Sequence, residues 1–253
     1  MKPILETATL LSLAVSALAL PTKDFDLKIF GGNTAKPGQF PSIVSMELQL
    51  FLQSWCSGSI INKNWFVTAA GCVTNMFNED IYIKAGTVSL NEGGLKYNVS
   101  NITIHPTFND TTYTDDIALV KIDGEFTFTD FLQPIEIGEV AVNQSCTVAG
   151  WGQTEQTNIP SELSFAEVRA LSEDECDKLA EDGIAELERG PGQICGYKSS
   201  GVGACFGDAG GPMIADGRLV GIASYSITPC AQGWPDVYTR VAYYTEWINE
   251  IVN

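Results

Sequence analysis

An all-β fold is what this sequence predicts, on three observations. Eight short runs rich in β-branched and aromatic residues recur along the chain, turn residues separate them, and the helices that a parallel βαβ arrangement needs are missing. That spacing argues for a sandwich or for barrels.

In chain order the runs are 42–50 (SIVSMELQL), 65–70 (WFVTAA), 81–85 (IYIKA), 97–104 (YNVSNITI), 117–122 (IALVKI), 146–150 (CTVAG), 219–224 (LVGIAS) and 237–241 (VYTRV). Two helices interrupt the pattern. The first starts at Ser172, where Ser172 and Glu175 form a capping box ahead of Cys176. The second is terminal: Tyr244, Trp247, Ile248, Ile251 and Val252 share one face at helical spacing, as a helix docked on a core requires. No internal repeat and no linker rich in Pro, Gly or Ser breaks the chain.

At 253 residues, 45% of them hydrophobic, the chain can bury one substantial core or two small ones. The first 19 residues read as a signal peptide: Lys2 supplies the positive end, 10–18 the apolar run, and Ala17-Leu18-Ala19 the small-residue cleavage site. No later stretch approaches a membrane span, so an exported protein without a membrane partner is expected. Loss of residues 1–19 removes one base, Lys2, and one acid, Glu6, so the remainder keeps the formal net charge of −17. Such a surface repels nucleic acid and anionic lipid. It attracts cationic partners, or serves solubility alone.

Seven cysteines in an exported chain imply disulfides, and the odd count leaves at least one thiol over. Four N-x-S/T sequons, at Asn98, Asn101, Asn109 and Asn143, are glycosylation candidates on the same route. With one histidine and with the cysteines committed to disulfides, no zinc set is expected, nor any other metal or cofactor.

Three segments carry a more specific signal: NWFVTAAGC at 64–72, DIALV at 116–120 and GDAGGP at 207–212. Together they resemble the signature blocks of the chymotrypsin/trypsin family of serine proteases, with IFGG (29–32), IHPTF (104–108), VAGWG (148–152), PDVYTRV (235–241) and YYTEWI (243–248) in matching order. The resemblance implies two packed six-stranded antiparallel β-barrels, at about 29–130 and 131–240, with a C-terminal helix and a cleft between the barrels. It divides the chain into a signal peptide (1–19), a short propeptide (20–28) and a trypsin-like domain (29–253).

In that family the first block ends Ala-Ala-His-Cys and the last reads Gly-Asp-Ser-Gly-Gly-Pro. Here Gly71 and Ala209 stand at the histidine and serine positions, and of the three triad positions only Asp116 keeps its type. The chemistry needs a nucleophile, a base and a carboxylate that orients the base. Glycine and alanine supply neither of the first two. The single histidine, His105, lies in the IHPTF segment, where the resemblance implies a structural role.

The same resemblance implies that cleavage after Lys28 frees the Ile29 amino group to pair with Asp208, and that Gly207 and Ala209 offer backbone N–H groups as an oxyanion hole. Asp208 is equally read as inherited architecture. At the pocket, Gly203 takes the basal position, Asp236 replaces a usual glycine, and Ser226 replaces another in the wall. The glycine base with the displaced acid of Asp236 resembles the broad-specificity collagenolytic proteases of crustaceans and some insect gut enzymes, an arthropod-like pattern that admits basic or large side chains. Ser226 is a departure that bears on access to the pocket. Asp236 is alternatively a solvated turn residue.

The resemblance also pairs Cys56 with Cys72, Cys176 with Cys195, and Cys205 with Cys230, and leaves Cys146 free because its usual partner position is Ala215. Cys146 is then a buried inert thiol or a site of intermolecular pairing. The function expected is that of a secreted, monomeric, non-catalytic homologue that binds a peptide, protease, inhibitor or immune component through its cleft or surface loops. The alternatives are an active endopeptidase with non-standard catalysis, and an unselected duplicate or bulk storage protein.

Overall fold

The computed structural model describes residues 29–50, 53–155, 160–181 and 189–252. The expected signal peptide (1–19) and the expected propeptide (20–28), with Lys28, lie outside the described residues.

After a short strand β1 (Asn33–Thr34), six strands close into the first barrel: β2 (Ile43–Leu48), β3 (Gln53–Ile60), β4 (Trp65–Thr68), β5 (Ile81–Ala85), β6 (Leu95–Ile104) and β7 (Ala118–Ile122), in the order β2-β3-β4-β7-β6-β5. Every neighbouring pair is antiparallel. Val44, Met46, Phe66, Ile81, Ile83, Leu119 and Ile122 fill its interior. Closure removes the exposed edges that open sheets carry.

The second barrel comprises β8 (Ser145–Gly150), β9 (Ser164–Ala170), β10 (Gln193–Tyr197), β11 (Pro212–Ala215), β12 (Arg218–Ser226) and β13 (Asp236–Arg240). The order β9-β10-β13-β12-β11-β8 is closed by β8 pairing β9, and β1 adds to β9. Its core gathers Val148, Val168, Ile194, Met213, Val220 and Tyr238, together with Ile29. The two-barrel architecture expected from the sequence is therefore present.

Contacts between the barrels fix the cleft. The Ser57 N–H of β3 donates to the Ala209 carbonyl at 2.8 Å, and the Thr239 hydroxyl of β13 donates to the Asp116 carbonyl at 2.7 Å.

Helix α1 (Glu173–Ala180) starts at Ser172, whose Oγ accepts the Glu175 N–H at 3.2 Å. The reciprocal half of the expected capping box is replaced. The Glu175 carboxylate pairs with the Arg169 guanidinium of β9 at 2.5 and 2.8 Å, because a forked cation is a stronger partner than one backbone N–H. Helix α2 (Thr245–Val252) follows a 3₁₀ turn at Val241–Tyr244 and buries Ile248 against the first barrel, with Trp247, Ile251 and Val252 packed beside it. Among the described residues no helix is long and apolar enough to cross a membrane.

Three disulfides join Cys56 to Cys72, Cys176 to Cys195 and Cys205 to Cys230, with Cα separations of 6.1, 6.0 and 5.5 Å. Cys146 is free and buried in the second core, and that burial pushes its thiol up to about 11. Its burial favours the inert-thiol reading over intermolecular pairing.

Candidate functional site

The three triad positions meet on one cleft of about 860 Å³ between the barrels. Gly71 arrives on the 3₁₀ turn Ala70–Cys72 that ends β4, and the Cys56–Cys72 disulfide ties that turn to β3. Asp116 precedes β7 and is almost fully buried, at 1% exposure. Its Oδ1 accepts the Gly71 N–H at 2.8 Å, and its Oδ2 accepts the Ser224 hydroxyl of β12 at 2.5 Å. Burial raises the Asp116 pKa, while the Ser224, Gly71 and Ala70 hydrogen bonds pull it back.

Ala209 reaches the same cleft on the loop between Cys205 and β11. Two close approaches explain the glycines there. A Cβ on Gly210, whose φ is +79°, would lie 2.1 Å from the Ser57 carbonyl oxygen, so only glycine lets this loop sit against β3. In VAGWG, a Cβ on Gly150 or Gly152 would lie 2.2 or 2.4 Å from Asp208 carboxyl atoms, so the motif is a socket for that side chain.

Inside the socket, Asp208 accepts the Gly152 N–H at 2.8 Å and the Cys205 N–H at 2.9 Å. Burial drives its carboxyl up to about 7 despite both bonds. Ile29 is buried at 1% in the neighbouring core, and Phe30 bridges to Gly203. Among the described residues no side-chain cation forms a salt bridge with Asp208. The Gly207 and Ala209 N–H groups are given to no acceptor among the described residues, so both are unspent where they line the cleft.

Asp236 opens β13 and is buried at 6% exposure, which corrects its reading as a solvated turn residue. Its Oδ2 accepts the Ala204 N–H at 2.7 Å and would lie 2.8 Å from a Cβ on Gly203. The two positions compete for one space, so a carboxylate on β13 requires glycine at 203. Burial is the main cause that pushes Asp236 up to about 7, and the Asp208 charge adds to it. Ser226 donates to the Ala204 carbonyl at 3.1 Å and narrows the pocket beside that carboxyl.

Sequence reasoning missed the aromatic lining. Trp55, Tyr113, Phe206 and Tyr225 all face the cleft. Trp55 and Phe206 are exposed, at 44% and 66%, although both are large and apolar. Each is next to a disulfide cysteine in sequence, Cys56 and Cys205, and that adjacency was the available signal. Tyr113 lies three residues before Asp116 in a polar loop, has a φ of +53°, and packs on Tyr225 with ring centroids 5.6 Å apart.

His105 lies elsewhere. It packs edge-on against Tyr244 and Trp247, with centroids 5.1 and 4.8 Å away, and burial lowers its pKa. The sequon residues Asn98, Asn101, Asn109 and Asn143 are all exposed. Among the described residues no group of three or more His, Cys, Asp or Glu side chains stands together as a metal would need.

Residues 29–248 match the family model described as Trypsin. The chain is 30% identical over 226 residues to Chymotrypsin-2 of Vespa crabro, covering 88% of this chain and 99% of that protein. It is 31% identical over 245 residues to Cationic trypsin-3 of Rattus norvegicus, covering 94% of each.

Proposed function

The chain belongs to the trypsin family, and from that premise we propose that it is an exported, non-catalytic homologue that acts by holding a peptide or protein segment in its cleft. The observation that carries this reading is the pair Gly71 and Ala209, which stand where the family's signature blocks have histidine and serine. A methyl group cannot attack a carbonyl, and a hydrogen atom cannot take its proton. Loss of such a triad costs about 10⁶ in turnover in a protease of the same chemistry.

Substitution from elsewhere in the chain is not at hand. The one histidine, His105, is engaged with Tyr244 and Trp247 and does not line the cleft. The rest of the machinery supports binding. The Gly207 and Ala209 N–H groups are unspent, aromatic residues including Trp55, Tyr113, Phe206 and Tyr225 line the cleft, and Asp236 gives its pocket an acidic wall suited to a basic side chain. Cleavage after Lys28 would free the Ile29 amino group to pair with Asp208, whose raised pKa marks a carboxyl in need of a cation.

The test compares hydrolysis of a mixed peptide library by the protein cleaved after Lys28 and by the double variant Gly71→His/Ala209→Ser. Cutting by the double variant alone supports a formed, accessible cleft with disabled chemistry, and the sequences it cuts describe the parent's ligands. Cutting by neither moves the function to the outer loops.

A further inference from the structure

The space beside Gly71 carries three features that together define a ligand. It is open: a Cβ on Gly71 would have Tyr113 Cε1 at 3.4 Å and Asp116 Oδ1 at 3.7 Å as its nearest neighbours, ordinary contact distances. It is walled by an aromatic ring, since Tyr113 flanks it while remaining 38% exposed. And it has a carboxylate that is not filled.

A carboxylate offers about four lone-pair sites. Asp116 accepts the Gly71 N–H on one oxygen and the Ser224 hydroxyl on the other, which leaves lone pairs to spare, and it lines the cleft. A further donor can reach it from the cleft side. At 1% exposure a cationic donor binds this carboxylate more strongly than a further neutral one, because the low dielectric strengthens a charge-assisted hydrogen bond. The Tyr113 ring further selects a flat cation over a round ammonium, since planar groups stack on an aromatic surface.

We propose that the space between Tyr113 and Asp116 is a subsite for a planar, N–H-donating cation carried by the ligand, the imidazolium of a histidine or the guanidinium of an arginine side chain. Its N–H bonds the Asp116 carboxylate and its plane packs on the Tyr113 ring. The peptide-binding reading above supplies only the source of that group; the subsite itself is tested with small molecules.

The experiment titrates the protein at about pH 6, where imidazole is largely protonated, with imidazole, with methylguanidinium and with thiazole, following the backbone amide NMR signals of Gly71 and Ser224. Saturable shifts are expected with the two cations and not with thiazole, a ring of similar size that carries no N–H. Gly71→Leu, which fills the space and leaves Asp116 in place, is expected to weaken the cations at least about tenfold. The tighter of the two cations names the side chain that the subsite takes.

Absence of shifts with both cations overturns the proposal, and so does equal binding of thiazole, a comparison that needs no variant. Unchanged cation binding by folded Gly71→Leu overturns it as well. Peptides that bind the cleft with no preference for histidine or arginine would leave the peptide reading standing and remove this one. Saturable cations without any peptide binding would do the reverse.

Discussion

Gly71 donates its backbone N–H to the Asp116 carboxylate at 2.8 Å, so the carboxylate is still held by the turn that lacks a side chain to reach it. The opposite oxygen is held at 2.5 Å by Ser224 from the other barrel. Asp116 is thus a joint between the two halves of the molecule as well as a wall of the cleft.

Ser224→Ala removes one of the two side-chain groups of that joint and leaves a buried carboxylate short of a donor. A loss of about 1–3 kcal/mol in unfolding free energy is expected, read from urea denaturation. A change within about 0.5 kcal/mol would mean that water replaces the hydroxyl and that the joint is weak.

Gly71→His is expected to fold. The nearest atoms to its Cβ lie at 3.4 and 3.7 Å, so no neighbour must shift to admit the first carbon, and the imidazole meets a carboxylate. That carboxylate should raise the histidine's pKa above its ordinary value near 6.5. NMR titration of the imidazole checks it, with His105, whose pKa is lowered, as the internal contrast.

Three buried carboxyls, Asp208, Asp236 and Asp116, are raised by burial and act in the same direction on the pH dependence of the chain before any cleavage after Lys28. Asp208 and Asp236 are each pushed up to about 7 from 3.8. Between those values the folded chain binds more protons than the unfolded chain, so stability falls as pH rises from about 4 to about 7 and levels off above. Each group contributes a slope of at most about 1.4 kcal/mol per pH unit. Denaturant midpoints across this window should decline, and Asp236→Asn should flatten the decline. A midpoint that climbs through the window would contradict the assignment.

Ala215→Cys should add a fourth disulfide with Cys146. Strands β8 and β11 pair Met213 with Val148 and Ile214 with Thr147, and the next step of that antiparallel register sets Ala215 opposite Cys146. Both are buried in the same core, and directly opposed residues lie within the Cα range a disulfide spans. Thiol titration of the unfolded variant should find no free cysteine, and a gain of about 2–4 kcal/mol is expected.

Legibility in the sequence divided along physical lines. Strands such as β5 and β7 are apolar apart from one lysine each, Lys84 and Lys121, and are buried over most of their length, and β5 could be bounded to the residue. Strands β1, β3, β9, β10 and β11 escaped. In QSWCSGSI the polar and small residues face β2, β4 and the Ala209 loop, and their burial depends on partners distant in sequence. The same holds for the site. Gly71, Asp116 and Ala209 were marked by their motifs, whereas Tyr113 has no motif and matters only because a turn more than forty residues upstream lacks a side chain.

On the proposed reading the cleft binds without cutting. The most direct measurement takes a peptide that the Gly71→His/Ala209→Ser variant cleaves and titrates it calorimetrically into the unmodified protein cleaved after Lys28, with mass spectrometry of the recovered peptide. Saturable binding with the peptide returned intact is the predicted result. Cleaved peptide that persists after contaminating proteases are removed, or no binding at all, would contradict the account.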